Sequence, residues 1–246
     1  MTPIMDQPQS VQPPAGIVVA VVGCDGSGKT RLAKDIAAAL QRKRPTERRY
    51  MGLVSGESGD KIKQWPLIGV ALEHYLAIKV RRAQDMKKKL PGTMTGLVMY
   101  LFSLWRVRQL SRLKERADSG ILMIAERYPQ AEIPGFHYDG PGLSVDRART
   151  RAARWLARRE QALYDRMARQ RPWLVIRLAI DADTAFARKP DHPIEELRDK
   201  TQAMPLITYG GAPIVEVDAT QPYDDVLANA LRAIEGGIPP VEAARP

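Results

Sequence analysis

Residues 17–40 read IVVAVVGCDGSGKTRLAKDIAAAL, and their order decides the fold. Ile17 to Val22 is an apolar run without polar alternation, the signature of a strand covered on both faces. Gly23 to Thr30 then spells GxxxxGKT, and Arg31 to Leu40 continues with helical spacing. A strand that stops at Gly23 and a helix that starts near Lys29 aim several peptide N–H groups at one point. The positive end of the helix dipole adds to them there. The sequence therefore encodes an anion nest. Gly23, Gly26 and Gly28 permit torsions and close approach that a side chain would block. Ser27 and Arg31 flank the nest, Lys29 is the cation for a β or γ phosphate, and Thr30 supplies a hydroxyl suited to Mg²⁺.

Outward from this unit, apolar strands alternate with helices. Candidate strands lie at Arg48 to Leu53, Ile121 to Ala125, Trp173 to Ile180 and Ile214 to Val217. Two helical stretches separated by Pro91-Gly92 fill residues 60–119, a Pro- and Gly-rich loop runs from Pro129 to Ser144, and Asp146 stands ready to cap a basic helix. Further helices follow at Thr184 to Arg188 and Asp224 to Ile234. The pattern predicts an α/β fold with a central parallel sheet of about five strands between two helical layers. In such sheets ligands gather beyond the carboxyl ends of the strands, here Gly23, residues 53–57, Glu126 to Tyr128, Asp181 and Asp218. One domain over residues 17–235 is expected, with a disordered tail over 1–16 and a flexible one over 236–246.

The 246 residues carry a net charge of +10, a pI near 9.8 and 44% hydrophobic side chains. Clustered arginine invites a nucleic-acid reading, and Arg147, Arg149, Arg151, Arg154, Arg158 and Arg159 form the densest block. Trp155, Leu156, Leu163 and Met167 recur inside it at helical spacing, so the block reads as an amphipathic helix with a basic solvent face. No nucleic-acid motif accompanies it. The Pro- and Gln-containing start lacks the apolar core of a signal peptide. Gly96 to Trp105 is too short to span a bilayer, which takes around 20 residues; followed by Arg106, Arg108 and Arg112, it allows contact with a membrane surface. The lone Cys24 excludes an internal disulfide framework and suits a cytoplasmic protein. His74, His137 and His192 have no second ligand at metal-binding spacing, so no structural zinc is expected.

Glu126-Arg127 ends the second apolar strand. A carboxylate there can orient Mg²⁺, and the guanidinium can grip a phosphate. Together with the loop (Gly23, Asp25, Gly26, Gly28, Lys29, Thr30), Tyr128, the pair Arg171-Pro172 and the basic segment after Asp181, these residues resemble the thymidylate kinase family over most of Ile17 to Ile234. The resemblance implies a three-layer P-loop kinase fold with a lid over residues 184–204, ATP and Mg²⁺ as cofactors, and phosphoryl transfer to a nucleoside monophosphate. By it, Lys29, Thr30 and the loop bind the donor, Thr30 and Glu126 serve the metal, Arg127 holds the acceptor phosphate, and Asp25 contacts acceptor or magnesium shell. The loop carries no Arg, so the lid supplies a cation, Arg188 or Lys189 first and Arg198 next. Asp218-Ala219 stands where the family contacts adenine, and the family's dimers imply a homodimer. The chain departs from the pattern at Gly52 to Glu57, where the family's base-reading element is missing, and at Glu126 in place of Asp. Two alternatives stay open: a kinase for a hydroxyl of a nucleoside or sugar, with Asp25, Glu57 or Glu126 as base, or an ATP-binding switch that serves a macromolecular partner. Tyr100, Phe102 and Trp105 could wall a base pocket, although their spacing also fits core.

Overall fold

The computed structural model describes residues 16–52 and 93–237. Five strands form one parallel sheet: β1 (Val18–Gly23), β2 (Thr46–Tyr50), β3 (Leu122–Glu126), β4 (Leu174–Ala179) and β5 (Ile214–Asp218), in the order β2-β3-β1-β4-β5. Six α-helices accompany them among the described residues: α1 (Lys29–Gln41), α2 (Thr93–Asp118), α3 (Arg151–Ala168), α4 (Ala182–Arg188), α5 (Ile194–Ala203) and α6 (Tyr223–Gly237). β1 lies at the centre, which is why it has no polar face. Val19 and Val21 pack with Leu32 and Ile36 of α1 and Ile234 of α6, while Val18, Ala20 and Val22 pack with Met99 and Leu110 of α2 and Leu156 of α3. This is the three-layer arrangement of a P-loop kinase-like fold.

The edge strands are the weakly apolar ones. β2 reads Thr-Glu-Arg-Arg-Tyr and begins two residues before the stretch expected from Arg48; Leu53 falls outside the described residues. Charge on a solvent-facing edge blocks pairing with another chain. Its alternation is nonetheless used: Glu47 and Arg49 reach Arg116 and Gln109 of α2, and Arg48 turns to Glu126.

Helix α3 starts at Arg151, with the Thr150 hydroxyl accepting from the Ala153 amide at 3.0 Å, so Thr150 and not Asp146 is the cap. The residues between them are not helical. Trp155, expected on the apolar side, is 55% exposed, whereas Leu156 and Met167 are buried. α2 and α3 run parallel and side by side, joined by Ser103–Glu160 and Arg106–Tyr164 contacts. The second of the two helical stretches expected over residues 60–119 is α2. The first, which holds His74, lies outside the described residues, as do Glu57 in the turn before it and most of both terminal tails. No helix among the described residues is long and apolar enough to cross a membrane.

Candidate functional site

At the carboxyl end of β1 the chain turns through residues 24–28 into α1, with Gly26 and Gly28 both in the left-handed region at φ 84° and 87°. Gly26 also has no room for a side chain, since a Cβ would lie 2.5 Å from the Ala185 carbonyl oxygen of α4. The segment after β4 thus sits directly on the loop. Cys24, Ala185 and Leu197 of α5 form a small apolar cluster that holds it there, and burial pushes the Cys24 thiol up from its usual range.

Three cations converge on one carboxylate. Asp25 Oδ1 accepts from Lys29 Nζ at 3.0 Å and from the Arg127 guanidinium at 2.9 Å, and Asp25 Oδ2 pairs with Lys200 Nζ. Burial alone would raise the Asp25 pKa, but Lys29, Lys200 and Arg127 more than offset it and hold the group well below the ordinary carboxylate range. Lys29 also donates to the Cys24 carbonyl at 3.1 Å, and its own pKa is lowered, first by burial and then by Arg127. Lys200 is 4% exposed and lies 3.3 Å from Glu196 one turn earlier on α5.

Arg127 has φ 56°, uncommon for a residue with a side chain. Its surroundings over-determine that conformation, as strained residues require. The fully buried Arg106 donates to the Arg127 carbonyl at 2.5 Å and to Asp139 Oδ1 at 2.9 Å, and lies 3.4 Å from the Tyr164 hydroxyl. Asp139 comes from the loop between β3 and α3, where Gln130 bonds to Glu132, Ile133 and Tyr138. His137 in the same loop is lowered to about 4, by burial first and by Lys200 next. Gly52, just past β2, fits between the Tyr50 ring and Arg127: a Cβ there would meet Tyr50 Oη at 2.5 Å and Arg127 Cδ at 2.6 Å.

Other residues singled out by sequence are placed differently. Glu126 is fully buried and pairs with Arg48, its Oε2 without a hydrogen-bond partner. Thr30 is exposed on the first turn of α1. Ser27 is buried, its hydroxyl also unpartnered. Arg31 stacks on Tyr223, 3.7 Å from the ring centroid. The Tyr128 hydroxyl donates to the Gln170 carbonyl at 2.6 Å, a structural role.

Arg188, the lid cation expected from the sequence, donates its guanidinium to the Ala219 carbonyl just after β5, at 2.9 Å. Lys200 takes the place at Asp25. Sequence reading missed Lys200 and Arg106, whose only local signals are a Glu196–Lys200 spacing that looks like a surface pair and a cation after an apolar run. Among the described residues no three His, Cys, Asp or Glu side chains gather as a metal-binding group.

Comparison with known proteins finds relatives over most of the chain. The chain is 50% identical over 217 residues to the uncharacterized ATP-binding protein YghR of Escherichia coli (strain K12), covering 88% of this chain and 86% of that protein. It is 42% identical over 221 residues to the uncharacterized ATP-binding protein YghS of the same organism, covering 90% and 93%. No family model matches the chain.

Proposed function

From the premise that the chain belongs to the family of the ATP-binding proteins YghR and YghS, we propose that it binds ATP at residues 23–30 and transfers the terminal phosphoryl group to an acceptor that is already anionic. A nucleoside monophosphate fits best. The loop amides and the α1 dipole suit a triphosphate tail. Lys29 and Arg127 both bond to Asp25 Oδ1, so the cation expected for the donor and the one expected for the acceptor meet at one carboxylate.

The observation that favours this acceptor class is that the two candidate bases among the described residues are committed to cations, Asp25 to three of them and the fully buried Glu126 to Arg48. A carboxylate neutralised by three cations and held far below its usual range is a poor proton acceptor. A hydroxyl acceptor needs such a base, whereas a phosphate oxygen is a nucleophile without one. The loose transition state of phosphoryl transfer spreads charge over peripheral oxygens, so catalysis is positioning and electrostatics. Lys29, Lys200 and Arg127 supply that charge, and Arg106 fixes Arg127 from behind.

Magnesium fits the residues present. Glu126 Oε2 is buried without a partner and Thr30 offers a hydroxyl, a sparse set typical of an ion that leans on substrate phosphates. Thr30 and Glu126, directly or through water, would hold it, and its chemistry there is charge neutralisation on the phosphates.

The test is transfer of label from γ-labelled ATP across nucleoside monophosphates, nucleosides and sugars. Labelled diphosphate from one monophosphate supports the proposal. Label on a nucleoside or sugar hydroxyl would move the reading to a hydroxyl kinase with Glu126 as base, and label only in inorganic phosphate, released slowly whatever acceptor is added, would move it to a switch.

A further inference from the structure

Four of the five large hydrophobic side chains exposed among the described residues lie on two neighbouring helices: Met94, Leu97 and Leu101 on α2 and Trp155 on α3. Contacts of Thr93 with Thr150 and of Ser103 with Glu160 place the two helices side by side on the same side of the sheet, so their outer faces are continuous. Met94 is 71% exposed and Leu101 54%. From Thr93 to Trp105, α2 contains no charged residue at all. Around Trp155 stand Arg149, Arg151, Arg154, Arg158 and Arg159, all exposed, with the Arg159 guanidinium 5.1 Å from the indole centroid. The one exposed acid of α3 is Asp165, ten residues beyond Trp155.

We infer that this two-helix face lies against an anionic lipid surface. Met94, Leu97, Leu101 and Trp155 enter the boundary between headgroups and acyl chains, and the α3 arginines engage lipid phosphates. Apolar side chains beside a cationic face, with an indole between them, are the features of an interfacial helix. Guanidinium suits bidentate phosphate contact. The uncharged part of α2 is only about 20 Å long at 1.5 Å per residue, against a hydrocarbon core of about 30 Å, so the helix lies on the surface rather than across it. A second copy would bring two sets of these five arginines into one interface, with one exposed acid per α3 to offset them. A nucleic acid would use the arginines and the indole but leave Met94, Leu97 and Leu101 facing a phosphate backbone.

The experiment is co-sedimentation of the full chain with vesicles of phosphatidylcholine alone or with one third phosphatidylglycerol. Binding to the anionic vesicles, absent on neutral ones and weakened by salt, is expected. The doubles Leu97→Asp with Leu101→Asp and Arg154→Glu with Arg158→Glu each lower the partition coefficient by tenfold or more, on the scale of roughly fivefold per cationic residue at a charged surface. All four sites are exposed, so melting temperature and nucleotide binding stay at wild-type values. Equal binding to both vesicles, no binding, or variants that bind as wild type does would overturn the inference. So would a dimer in sedimentation that the leucine double variant dissociates, which assigns the face to a second copy. Oligonucleotide binding that only the arginine variant loses would overturn it too, and assign the face to nucleic acid.

Discussion

Glu160 is a carboxyl buried at the seam between α2, α3 and the loop before α3, and replacing it with Gln separates packing from charge. The Leu143 amide donates to Glu160 Oε2 at 2.6 Å, and Ser103 Oγ lies 2.5 Å from Glu160 Oε1 and 3.2 Å from the Met99 carbonyl. Ser103 has a single proton, so both contacts are satisfied together when a protonated Glu160 donates to Ser103 and Ser103 donates to Met99. Burial pushes the Glu160 pKa from its ordinary 4.5 up to about 7, with the Ser103 and backbone contacts pulling the other way. A carboxyl raised in the folded state contributes stability that is complete below the unfolded value and is lost as pH rises through the folded one. The shift corresponds to about 3 kcal/mol between pH 4 and pH 8. Glu160→Gln keeps the shape, the donor to Ser103 and the acceptor for the Leu143 amide, adds one buried N–H, and does not titrate. Its unfolding free energy relative to wild type, from urea titration, is expected to rise by about 3 kcal/mol from pH 4 to pH 8, roughly 6–12 °C in Tm. Parallel curves for the two proteins from pH 4 to pH 8 would refute the reasoning.

Lys200→Met removes the cation that α5 brings to Asp25 and is expected to lower kcat/KM by about 10²-fold, with Asp25 still paired to Lys29 and Arg127; steady-state kinetics with the identified acceptor check it. Arg106→Met leaves Asp139 and the Arg127 carbonyl without their buried donor, and chemical denaturation should show a loss of about 3 kcal/mol. Gly52→Ala pushes the Tyr50 ring and Arg127 aside, so acceptor KM should rise while ATP affinity, read by calorimetry, stays as in wild type.

The layered fold was legible because β1, β3 and β4 are buried on both faces and therefore continuously apolar, and because the phosphate loop joins strand to helix at a fixed place. β2 was less legible, since a charged edge strand gives no periodic apolar signal. Strand order was out of reach, as nothing local in β1 states that β3 and β4 flank it. Lys29 and Asp25 could be named because the loop brings them together four residues apart. Lys200 is 175 positions from Asp25, and in a helix face with Glu196 it looks like any exposed i, i+4 pair. Arg106 looked like the basic flank of an apolar helix, yet it is fully buried, because Asp139 and the strained Arg127 backbone, distant in the chain, complete its hydrogen bonds. Arg188 was chosen for its place after β4, and its guanidinium bonds to the Ala219 carbonyl, a partner 31 positions on that no local pattern states.

Titration of Mg-ATP into the wild-type protein and into Lys29→Ala, followed by calorimetry, tests the central claim most directly. Saturable binding by wild type, weakened on the order of 100-fold in a variant that circular dichroism shows to be folded at the assay temperature, is the predicted result, since Lys29 is the cation the loop offers to a phosphate. No heat at millimolar nucleotide, or equal affinity in the two proteins, would contradict it.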